Sequence, residues 1–360
     1  MSTRLLEGSE AIAEAMVAAG CRFFAGYPMT PFTEVLEHMA RRLPEVGGVC
    51  MNAESELEAV GMAWGAAATG TPSATGSTGQ GLSLMQESLA EITLARVPLV
   101  VLNMARAQGD YFQATRGGGH GDYRHIVLAP MDVPESVELI PLAFHLAQVW
   151  RNPVLVFGDY YLAHTMGSVA VDRREFGPPP AADWALDGST GGSGAAKIVS
   201  PLGTHKRRDG EGYNLADHYT ACAEITARMA AEVTPLVESA FLEGAELVAV
   251  AFGTPAKYVR AAVRAMRDDG LPVGFVRPIT LFPFPSAAIA RACDGARAVA
   301  VYENNQGQMI DDVRLAVLGR APVHFVGGLS LDSSGFGIAP DLDVGVIRGR
   351  LERVLREAER

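Results

Sequence analysis

The chain has few cysteines, few lysines and no long apolar run. Its 360 residues include Cys21, Cys50, Cys222 and Cys293, and no Cys-x-x-Cys pair. This spacing fits neither a disulfide framework nor a zinc or cluster site, so we expect a reducing compartment. No apolar stretch reaches the ~20 residues needed to cross a bilayer. Acidic residues near the N-terminus also argue against a secretory signal, and the sequence predicts a cytoplasmic protein without a membrane span.

Acidic residues outnumber basic ones. There are 41 Asp and Glu against 30 Lys and Arg, only three of which are lysines (Lys197, Lys206 and Lys257), and the formal net charge is −11. A chain with this charge is repelled by phosphate backbones and by anionic lipids, which argues against nucleic acid or a membrane as the main partner. With 48% hydrophobic residues the chain is too apolar to be disordered, and its length predicts about two domains.

The common cofactor motifs are also missing. The sequence has no P-loop, and Gly76-Ser-Thr-Gly79-Gln-Gly81 lacks the third glycine of a dinucleotide fingerprint at the right spacing. His120 and Asp122 supply two ligands in a Gly-rich loop, with nothing obvious to complete a metal shell. We therefore predict that this chain alone binds neither NAD nor a metal ion.

Apolar strands alternate with helical patterns in the first part of the chain. Helices are predicted at 9–19, capped by Ser9, at 54–69, 82–95 and 135–149, with another opening at Thr30-Pro31; strands are predicted at the run CRFFAG, Val97–Met104, Val127–Ala129 and Val154–Phe157. This alternation predicts a parallel α/β sheet.

A Gly-, Pro- and Ser-rich stretch at 175–215 interrupts the alternation and is interpreted as a linker or an arm able to order on a partner. Alternation then returns. Helices are predicted at 216–235, 255–269 and 308–318, and strands at Leu247–Ala251, Val273–Val276, Ala298–Tyr302 and 322–326. The predicted organisation is a first domain at 1–170, a linker with a helix at 171–235, and a smaller α/β domain at 236–360.

Two segments fall where strands of the first domain are predicted to end. In Gly26-Tyr-Pro-Met-Thr-Pro31, the Thr30 hydroxyl and free backbone N–H groups follow a strand, at the edge where α/β proteins bind ligands. A plain helix cap is the alternative. Arg106 follows the strand at 97–104 and is able to pair with a carboxylate through two hydrogen bonds. A surface arginine is the alternative there.

Three carboxylates, Glu54, Glu56 and Glu58, open the helix that also carries Gly61 and Gly65. Acidic residues in the first turn of a helix complement the helix dipole, and this explains exposed carboxylates there. It does not explain a carboxylate that faces a closed site. The two glycines lie on one helix face and permit the close approach of another helix or a ligand.

Several motifs, in order, resemble those of one enzyme family. The run CRFFAGYPMTPFTEV, the pattern S-E-x-x-A-x-G-x-x-x-G-A of Ser55–Ala66, the pattern S-T-G-x-G-L-S-L-M-x-E of Ser77–Glu87 and the run QGDYFQATRGGGHGDYRHIVLAP are similar to the alpha subunit of 2-oxoacid:ferredoxin oxidoreductases. The later run AFGTPAKYVRAAVRAMRDDGLPVGFVRPITLFPFP and Glu303-Asn-Asn-Gln-Gly-Gln-Met309 resemble the second domain of the same subunit. The resemblance covers nearly the whole chain apart from 175–215.

The resemblance implies a thiamine pyrimidine-binding domain followed by a transketolase C-terminal-like domain. The family oxidises a 2-oxoacid with coenzyme A to an acyl-CoA and CO2, using thiamine diphosphate, and passes electrons to ferredoxin. By the same resemblance, a beta subunit holds the diphosphate, Mg2+ and a 4Fe–4S cluster. The number of further partners, such as gamma and ferredoxin-like delta subunits, stays open. This chain has no Gly-Asp-Gly…Asn-Asn diphosphate motif, in agreement with that division.

The resemblance also implies residue roles. Glu56 takes the position of the carboxylate that hydrogen-bonds the pyrimidine N1′ and so makes the cofactor's 4′-amino group basic. We expect its helix to bury it against small residues. Thr30 and Arg106 take the positions of the groups that hold the substrate carboxylate.

Four further residues are expected at the cofactor. They are Tyr27, Pro28, Gly79 and Gly81, and no residue of this chain is expected to bind a metal.

Sequence features of three segments bear on the branch of the family to which the chain is most similar. The loop Arg116-Gly-Gly-Gly-His120-Gly-Asp122-Tyr123 is most similar to the branched-chain (3-methyl-2-oxobutanoate) branch, with the 2-oxoglutarate branch also close. Ala107 joins Arg106 directly to the Gln-Gly-Asp segment, where many members have a longer Gly/Pro-rich loop. Met29 and Phe32 also replace smaller residues. These departures predict a pocket that is more open or differently shaped.

Two other functions remain as alternatives. One is a regulatory or scaffolding subunit with the same fold and no catalysis, which would have no need of Glu56. The other is a self-contained thiamine decarboxylase, which the missing diphosphate motif disfavours.

Overall fold

The computed structural model describes residues 3–172, 176, 180–186, 215–328 and 342–358. Within these ranges the chain forms a seven-stranded sheet, a five-stranded sheet and a two-stranded ribbon, with helices packed around them. The prediction of an α/β protein with two mostly parallel sheets in two domains is confirmed. Most of the arm predicted at 175–215 lies outside the described residues.

The strands are β1 Arg4–Glu7, β2 Phe23–Gly26, β3 Val49–Asn52, β4 Ser73–Ser77, β5 Leu99–Ala105, β6 Ile126–Leu128, β7 Pro153–Asp159, β8 Met166–Val169, β9 Val237–Ala240, β10 Leu247–Val250, β11 Val273–Pro278, β12 Thr280–Phe282, β13 Ala298–Val301 and β14 Val323–Phe325. The helices are α1 Gly8–Ala18, α2 Thr33–Glu45, α3 Glu56–Ala68, α4 Gly79–Ala95, α5 Tyr111–Arg116, α6 Val133–Trp150, α7 Tyr160–His164, α8 Leu215–Glu232, α9 Gly253–Asp268, α10 Ser286–Ala292, α11 Met309–Val317 and α12 Val344–Ala358. A 3-10 turn spans Gln108–Asp110.

The seven-stranded sheet, hereafter the large sheet, has the order β12-β6-β7-β5-β4-β2-β3, and its strands are parallel except for β12. The five-stranded sheet, hereafter the small sheet, has the order β14-β13-β10-β11-β9, and only β9 is antiparallel. Strand β12 therefore follows β11 of the small sheet in sequence but pairs with β6 of the large sheet.

The centre of the large sheet is buried on both faces. Every residue of β5 and of β7 is buried, and the two strands pair over their full length, from Leu99 opposite Pro153 to Ala105 opposite Asp159. Strands covered by helices on both faces have uninterrupted apolar runs, which is why periodicity predicted both of them.

Some predicted helix starts are wrong by one to three residues. Helix α1 begins at Gly8 with Glu7 as its N-cap, so Ser9 is not the cap; its hydroxyl instead donates to the Ala163 carbonyl at 3.1 Å. Helix α2 begins at Thr33, and Pro31 therefore precedes it. Helix α4 begins at Gly79, which places this glycine in the first turn.

The sequence analysis missed strand β4, although it lies between β2 and β5 in the large sheet. Its residues, SATGS, are small and polar, so they carry no strand pattern. All five are buried nevertheless, and the Thr75 hydroxyl is satisfied by the Ala25 carbonyl at 2.8 Å. A buried polar strand of this kind is stable only because neighbouring strands supply its hydrogen bonds.

Part of the predicted arm packs on the large sheet. Trp184 is buried among its core residues, with the Arg151 guanidinium 4.8 Å from the centre of the indole ring. The Leu186 N–H donates to the Ala68 carbonyl, at the end of α3. The described piece at 180–186 therefore belongs to the first domain.

Within the described ranges, none of the helices combines the length and apolar character of a membrane span. The four cysteines are free thiols. No group of three or more His, Cys, Asp or Glu side chains among the described residues is arranged to hold a metal ion.

Candidate active site

The predicted site residues lie at the carboxyl edge of the large sheet. Strands β2, β3, β4 and β5 end at Gly26, Asn52, Ser77 and Ala105, and the segments that follow carry the residues expected to act, Glu56 among them after β3. Because these strands are parallel, their ends meet at one edge, which is where open α/β sheets bind ligands.

Glu56 is a buried carboxylate at the start of α3, with 2% of its surface exposed. The Ser77 hydroxyl, at the end of β4, donates a hydrogen bond of 2.8 Å to Oε1 of Glu56. A Cβ atom at Gly81 would collide with both the Ser77 hydroxyl and the Glu56 carboxylate. Gly81 therefore leaves room for the carboxylate in a wall of small residues.

The two neighbouring carboxylates have a different environment. Glu54 and Glu58 are exposed, and Glu58 accepts a short hydrogen bond from the Ser55 hydroxyl, which lowers the pKa of Glu58. They suit the dipole of α3 and need no other role. Gly61 and Gly65 lie on an exposed face of the same helix with open space beside them.

Thr30 and Arg106 come together across the edge of the sheet. The Nε–H of Arg106, after β5, donates to the main-chain oxygen of Thr30 at 3.3 Å. Arg106 also lines a cleft of about 340 Å3 whose other lining residues are Gly79, Gln80, Ser83, Ala107, Gly109, Asp110 and Gln113. The cleft is lined mainly by polar side chains and glycines, and Arg106 is the cation among the described residues that line it.

Asp110 lines the same cleft but was not predicted. Its carboxylate packs against Gly79, where a Cβ atom would collide with it, and accepts a hydrogen bond of 3.1 Å from Asn103. Burial raises the pKa of Asp110, against the opposing effects of Asn103 and the charge of Arg106. The sequence contained one signal, an asparagine inside the apolar strand VPLVVLNM, and Asn103 is indeed fully buried.

The two glycines expected at the cofactor link these groups. Gly81 contacts the Glu56–Ser77 pair, Gly79 contacts Asp110, and both lie in the first turn of α4. The N-terminus of α4 therefore runs along the edge between Glu56 and the cleft.

Tyr27 and Pro28 lie in the segment after β2, where Tyr27 is half-buried and Pro28 exposed. The next residue, Met29, accepts a contact of 3.0 Å from the Thr78 hydroxyl through its sulfur, so the segment touches the start of α4.

Phe32 is a core residue rather than a pocket residue. Its ring is fully buried, and a Cβ atom at Gly26 or Gly76 would lie 2.8 or 2.7 Å from it. The two glycines thus allow the aromatic ring to pack beneath strands β2 and β4.

The Gly-rich loop after Arg116 is held by its own tyrosine. The Tyr123 hydroxyl accepts the N–H groups of Gly118 and Gly119 at 3.0 and 2.8 Å and donates to Gln86 at 2.9 Å. His120, the residue considered as a metal ligand, contacts Glu91 instead.

These features fit the pyrimidine half of a thiamine site. A buried carboxylate faces small residues at the ligand-binding edge, and Gly81 keeps space where a side chain would fill it. Such a carboxylate is suited to hold a proton at a ring nitrogen away from water.

Comparison with known proteins agrees with this geometry. Residues 14–180 match the thiamine diphosphate-binding domain of pyruvate flavodoxin/ferredoxin oxidoreductases. Residues 245–333 match core domain II of pyruvate:ferredoxin oxidoreductase. The class defined is therefore a thiamine diphosphate-binding subunit with a second α/β domain.

Two relatives show the family. The chain is 36% identical over 326 residues to the ketoisovalerate oxidoreductase subunit VorB of Methanothermobacter marburgensis, covering 88% of this chain and 90% of that one. It is 32% identical over 350 residues to the 2-oxoglutarate synthase subunit KorA of Methanothermobacter thermautotrophicus, covering 89% and 93%. This chain belongs to the 2-oxoacid:ferredoxin oxidoreductase family.

A solved structure shares the fold. The 2-oxoglutarate:ferredoxin oxidoreductase from Magnetococcus marinus, solved with 2-oxoglutarate, coenzyme A and succinyl-CoA bound, superposes with a TM-score of 0.81 at 24% identity. The alignment covers 99% of this chain and 65% of the solved one.

Proposed function

We propose that this chain is the thiamine-activating, substrate-binding alpha subunit of a 2-oxoacid:ferredoxin oxidoreductase. The reaction is the oxidative decarboxylation of a 2-oxoacid with coenzyme A to an acyl-CoA and CO2, with electrons passing to ferredoxin. The observation that carries the proposal is the buried Glu56 carboxylate, hydrogen-bonded by Ser77 beside Gly81 at the edge of the large sheet. A scaffolding subunit would gain nothing from a buried acid in that position.

Bound thiamine diphosphate supplies the nucleophilic carbon and the electron sink for decarboxylation. The task of Glu56 is to hold a proton at the pyrimidine N1′, and Ser77 keeps the carboxylate oriented for it. Burial excludes water from the carboxylate, which strengthens its hydrogen bonds. Tyr27, Pro28, Gly79 and Gly81 form the surrounding wall in this proposal.

Arg106 and Thr30 hold the substrate carboxylate. Arg106 is the cation of the cleft, and its guanidinium offers two parallel N–H donors, a geometry that matches a carboxylate. The hydrogen bond from Arg106 to the Thr30 main chain places Thr30 beside Arg106, although Thr30 itself does not line the cleft.

The rest of the active centre is proposed to lie in partner subunits. The relatives are named as subunits, VorB and KorA, which supports a hetero-oligomer. In this proposal a beta subunit supplies the diphosphate and Mg2+ site and a 4Fe–4S cluster, with ferredoxin as acceptor. The names of the relatives favour a branched-chain 2-oxoacid, with 2-oxoglutarate as the second candidate.

The test uses the native complex, purified without oxygen from its own host through a tag on this chain. Coenzyme A-dependent reduction of a viologen dye is followed across branched-chain, dicarboxylic and aryl 2-oxoacids. A rate with one class confirms the reaction and identifies the substrate, and mass spectrometry of the same preparation identifies the partners. No rate with any acid, from a complex that contains thiamine diphosphate and iron, would refute the proposed activity.

A further inference from the structure

Gln108 lies between two residues that line the active cleft. Arg106 precedes it by two positions and Asp110 follows it by two, and both face the cleft, whereas Gln108 is 2% exposed and does not line it. The side chain of Gln108 instead points into the second domain.

Every polar group of Gln108 is hydrogen-bonded to that domain. Its Nε2 donates to the Phe252 carbonyl at 2.9 Å, and its Oε1 accepts the Asn304 N–H at 2.8 Å. Its main-chain N–H donates to the Asn304 carbonyl at 3.1 Å, and its own carbonyl accepts from Asn305 at 2.9 Å. One residue of the first domain thus makes four contacts with the second.

These contacts fall at the ligand-binding position of the small sheet. Phe252 and Asn304 follow strands β10 and β13, which are neighbours in the sheet although β11 and β12 separate them in sequence. The chain order reverses between β10 and β13, and the crevice outside such a point is where open parallel sheets bind ligands. Here Gln108 occupies the crevice.

The loop that forms the crevice is held by hydrogen bonds to Glu303. Glu303 is fully buried, and its carboxylate accepts the N–H groups of Met309 and Ile310, at the start of α11, at 2.7 and 2.9 Å. The same carboxylate accepts from the Asn305 side chain at 2.9 Å. Asn305 is therefore fixed before it meets Gln108.

Neighbouring contacts hold the rest of the turn in the same way. Gln308 donates to the Gly109 carbonyl at 2.7 Å and accepts the Phe112 N–H at 2.8 Å. The Tyr111 hydroxyl donates to Asp312 at 2.6 Å. These hydrogen bonds hold the side of the turn that contacts the second domain, while its other side faces the cleft.

We infer that Gln108 is a positioning residue that fixes Arg106 against the substrate by seating the turn in the crevice of the second domain. This inference rests on the proposed function, because it assigns Arg106 to the substrate carboxylate. The second domain then acts as the support of the substrate site. A misplacement of about 1 Å costs on the order of a hundredfold in kcat/KM, and because Arg106 is proposed to bind the substrate carboxylate, we expect the loss in KM.

The test compares Gln108→Met and the milder Gln108→Asn with wild type in the purified complex. Gln148→Met, a half-buried glutamine on α6 at the opposite edge of the large sheet, is the control. We expect the KM for the 2-oxoacid to rise by roughly 10- to 100-fold in Gln108→Met, with kcat and bound thiamine diphosphate changed little. The control should match wild type.

A double-mutant cycle with Arg106→Ala separates positioning from general stability. If Gln108 acts through Arg106, then Gln108→Met has no further effect on KM once Arg106 is removed. A KM unchanged by Gln108→Met where Arg106→Ala raises it would overturn the inference and leave the proposed function intact. An equal rise in both backgrounds would also overturn it.

A second readout does not depend on activity. Hydrogen–deuterium exchange of the amides at 103–112 should speed up in Gln108→Met and stay unchanged in Gln148→Met. If the wild-type complex oxidises no 2-oxoacid, the proposed function fails. Hydrogen–deuterium exchange then tests by itself whether Gln108 anchors the turn to the second domain. Unchanged exchange would then overturn the inference.

Discussion

The Ser77 hydroxyl donates a hydrogen bond of 2.8 Å to Oε1 of Glu56 and so joins the end of β4 to the start of α3. This contact links strand β4, which carries no sequence pattern, to the carboxylate that we propose holds the proton at N1′. A change at either residue is therefore expected to affect the site rather than the fold.

Glu56→Gln should reduce 2-oxoacid oxidation about 10²- to 10⁴-fold, because an amide lacks the basicity to hold the proton at N1′. Cofactor content and thermal stability should change little, since Gln keeps the size and the contact with Ser77. Glu58→Gln, on the exposed side of the same helix turn, is the matched control and should keep full activity. Comparable turnover in Glu56→Gln and wild type would show that the assignment of Glu56 is wrong.

Arg106→Ala should raise the KM for the 2-oxoacid more than it lowers kcat. A hydrogen bond to a charged group contributes about 1.5–3 kcal/mol, which corresponds to roughly 10- to 150-fold in affinity. Arg106→Lys should recover part of the loss, because it keeps the charge but not the paired donors. Steady-state kinetics with Arg314→Ala, an exposed arginine on α11, as control would decide the matter. Equal KM values in all variants would contradict the role.

Gly81→Ala should lower activity because the added methyl collides with the Ser77 hydroxyl and the Glu56 carboxylate. Overpacking of this kind costs about 1–3 kcal/mol in folding free energy. Gly349→Ala is the control, since Gly349 lies on the exposed face of α12 with open space beside it. There the substitution should raise stability by up to about 1 kcal/mol. Thermal melts and turnover rates of both variants test this difference. Equal stability and equal activity of Gly81→Ala and Gly349→Ala would contradict the prediction.

His125 should make stability depend on pH. Burial lowers the pKa of His125 from 6.5 to about 4, so the folded state keeps the ring neutral. The unfolded chain binds the proton first, and the stability due to the neutral ring is full above about pH 6.5 and is lost as the pH falls towards 4. His125→Gln should therefore cost less at pH 5 than at pH 7.5, by about 2 kcal/mol. Chemical denaturation at the two pH values measures the difference, and an equal cost at both would refute the prediction.

Arg277 should contribute strongly to the contact between the domains. Its side chain is 3% exposed and hydrogen-bonds Glu135 of α6 through two nitrogens and Glu238 of β9 through Nε. Arg277→Met removes the cation that pairs with Glu135, while Glu238 keeps its pair with Arg260, and breaking a buried pair in this way costs about 3–5 kcal/mol. Arg314→Met removes an exposed pair with Asp311 and should cost no more than about 1 kcal/mol. Calorimetric melts that show equal losses would contradict this view.

The sequence predicted the strands and helices whose pattern is local. Val97–Met104 was found because a strand buried on both faces is apolar throughout. Strand β4 was missed because its small polar residues are buried only through contacts with β2 and β5, which are distant in sequence. Such a strand carries no periodic signal.

The residues of the candidate site were likewise predicted only in part. Glu56 was singled out from Glu54 and Glu58 only by resemblance to the family, and its burial distinguishes it in the structure. Asp110 was missed although Asn103, seven positions earlier, interrupts an apolar strand, whereas the hydrogen-bond partners of Gln108 lie 144 to 197 positions away in sequence. Contacts of this range depend on the packing of two domains and leave no trace in spacing.

Strand β12 makes the two halves of the chain dependent on each other. It lies beyond β9, β10 and β11 in sequence, yet Thr280 pairs with Leu128 and Phe282 with Val127 at the border of the large sheet. A polypeptide truncated before Thr280 would expose the unpaired edge of β6, and open strand edges promote aggregation. A cut after Phe282, inside the second family match, would instead separate β10 and β11 from β13 and β14 of the small sheet, so neither position divides the described chain into pieces with two complete sheets.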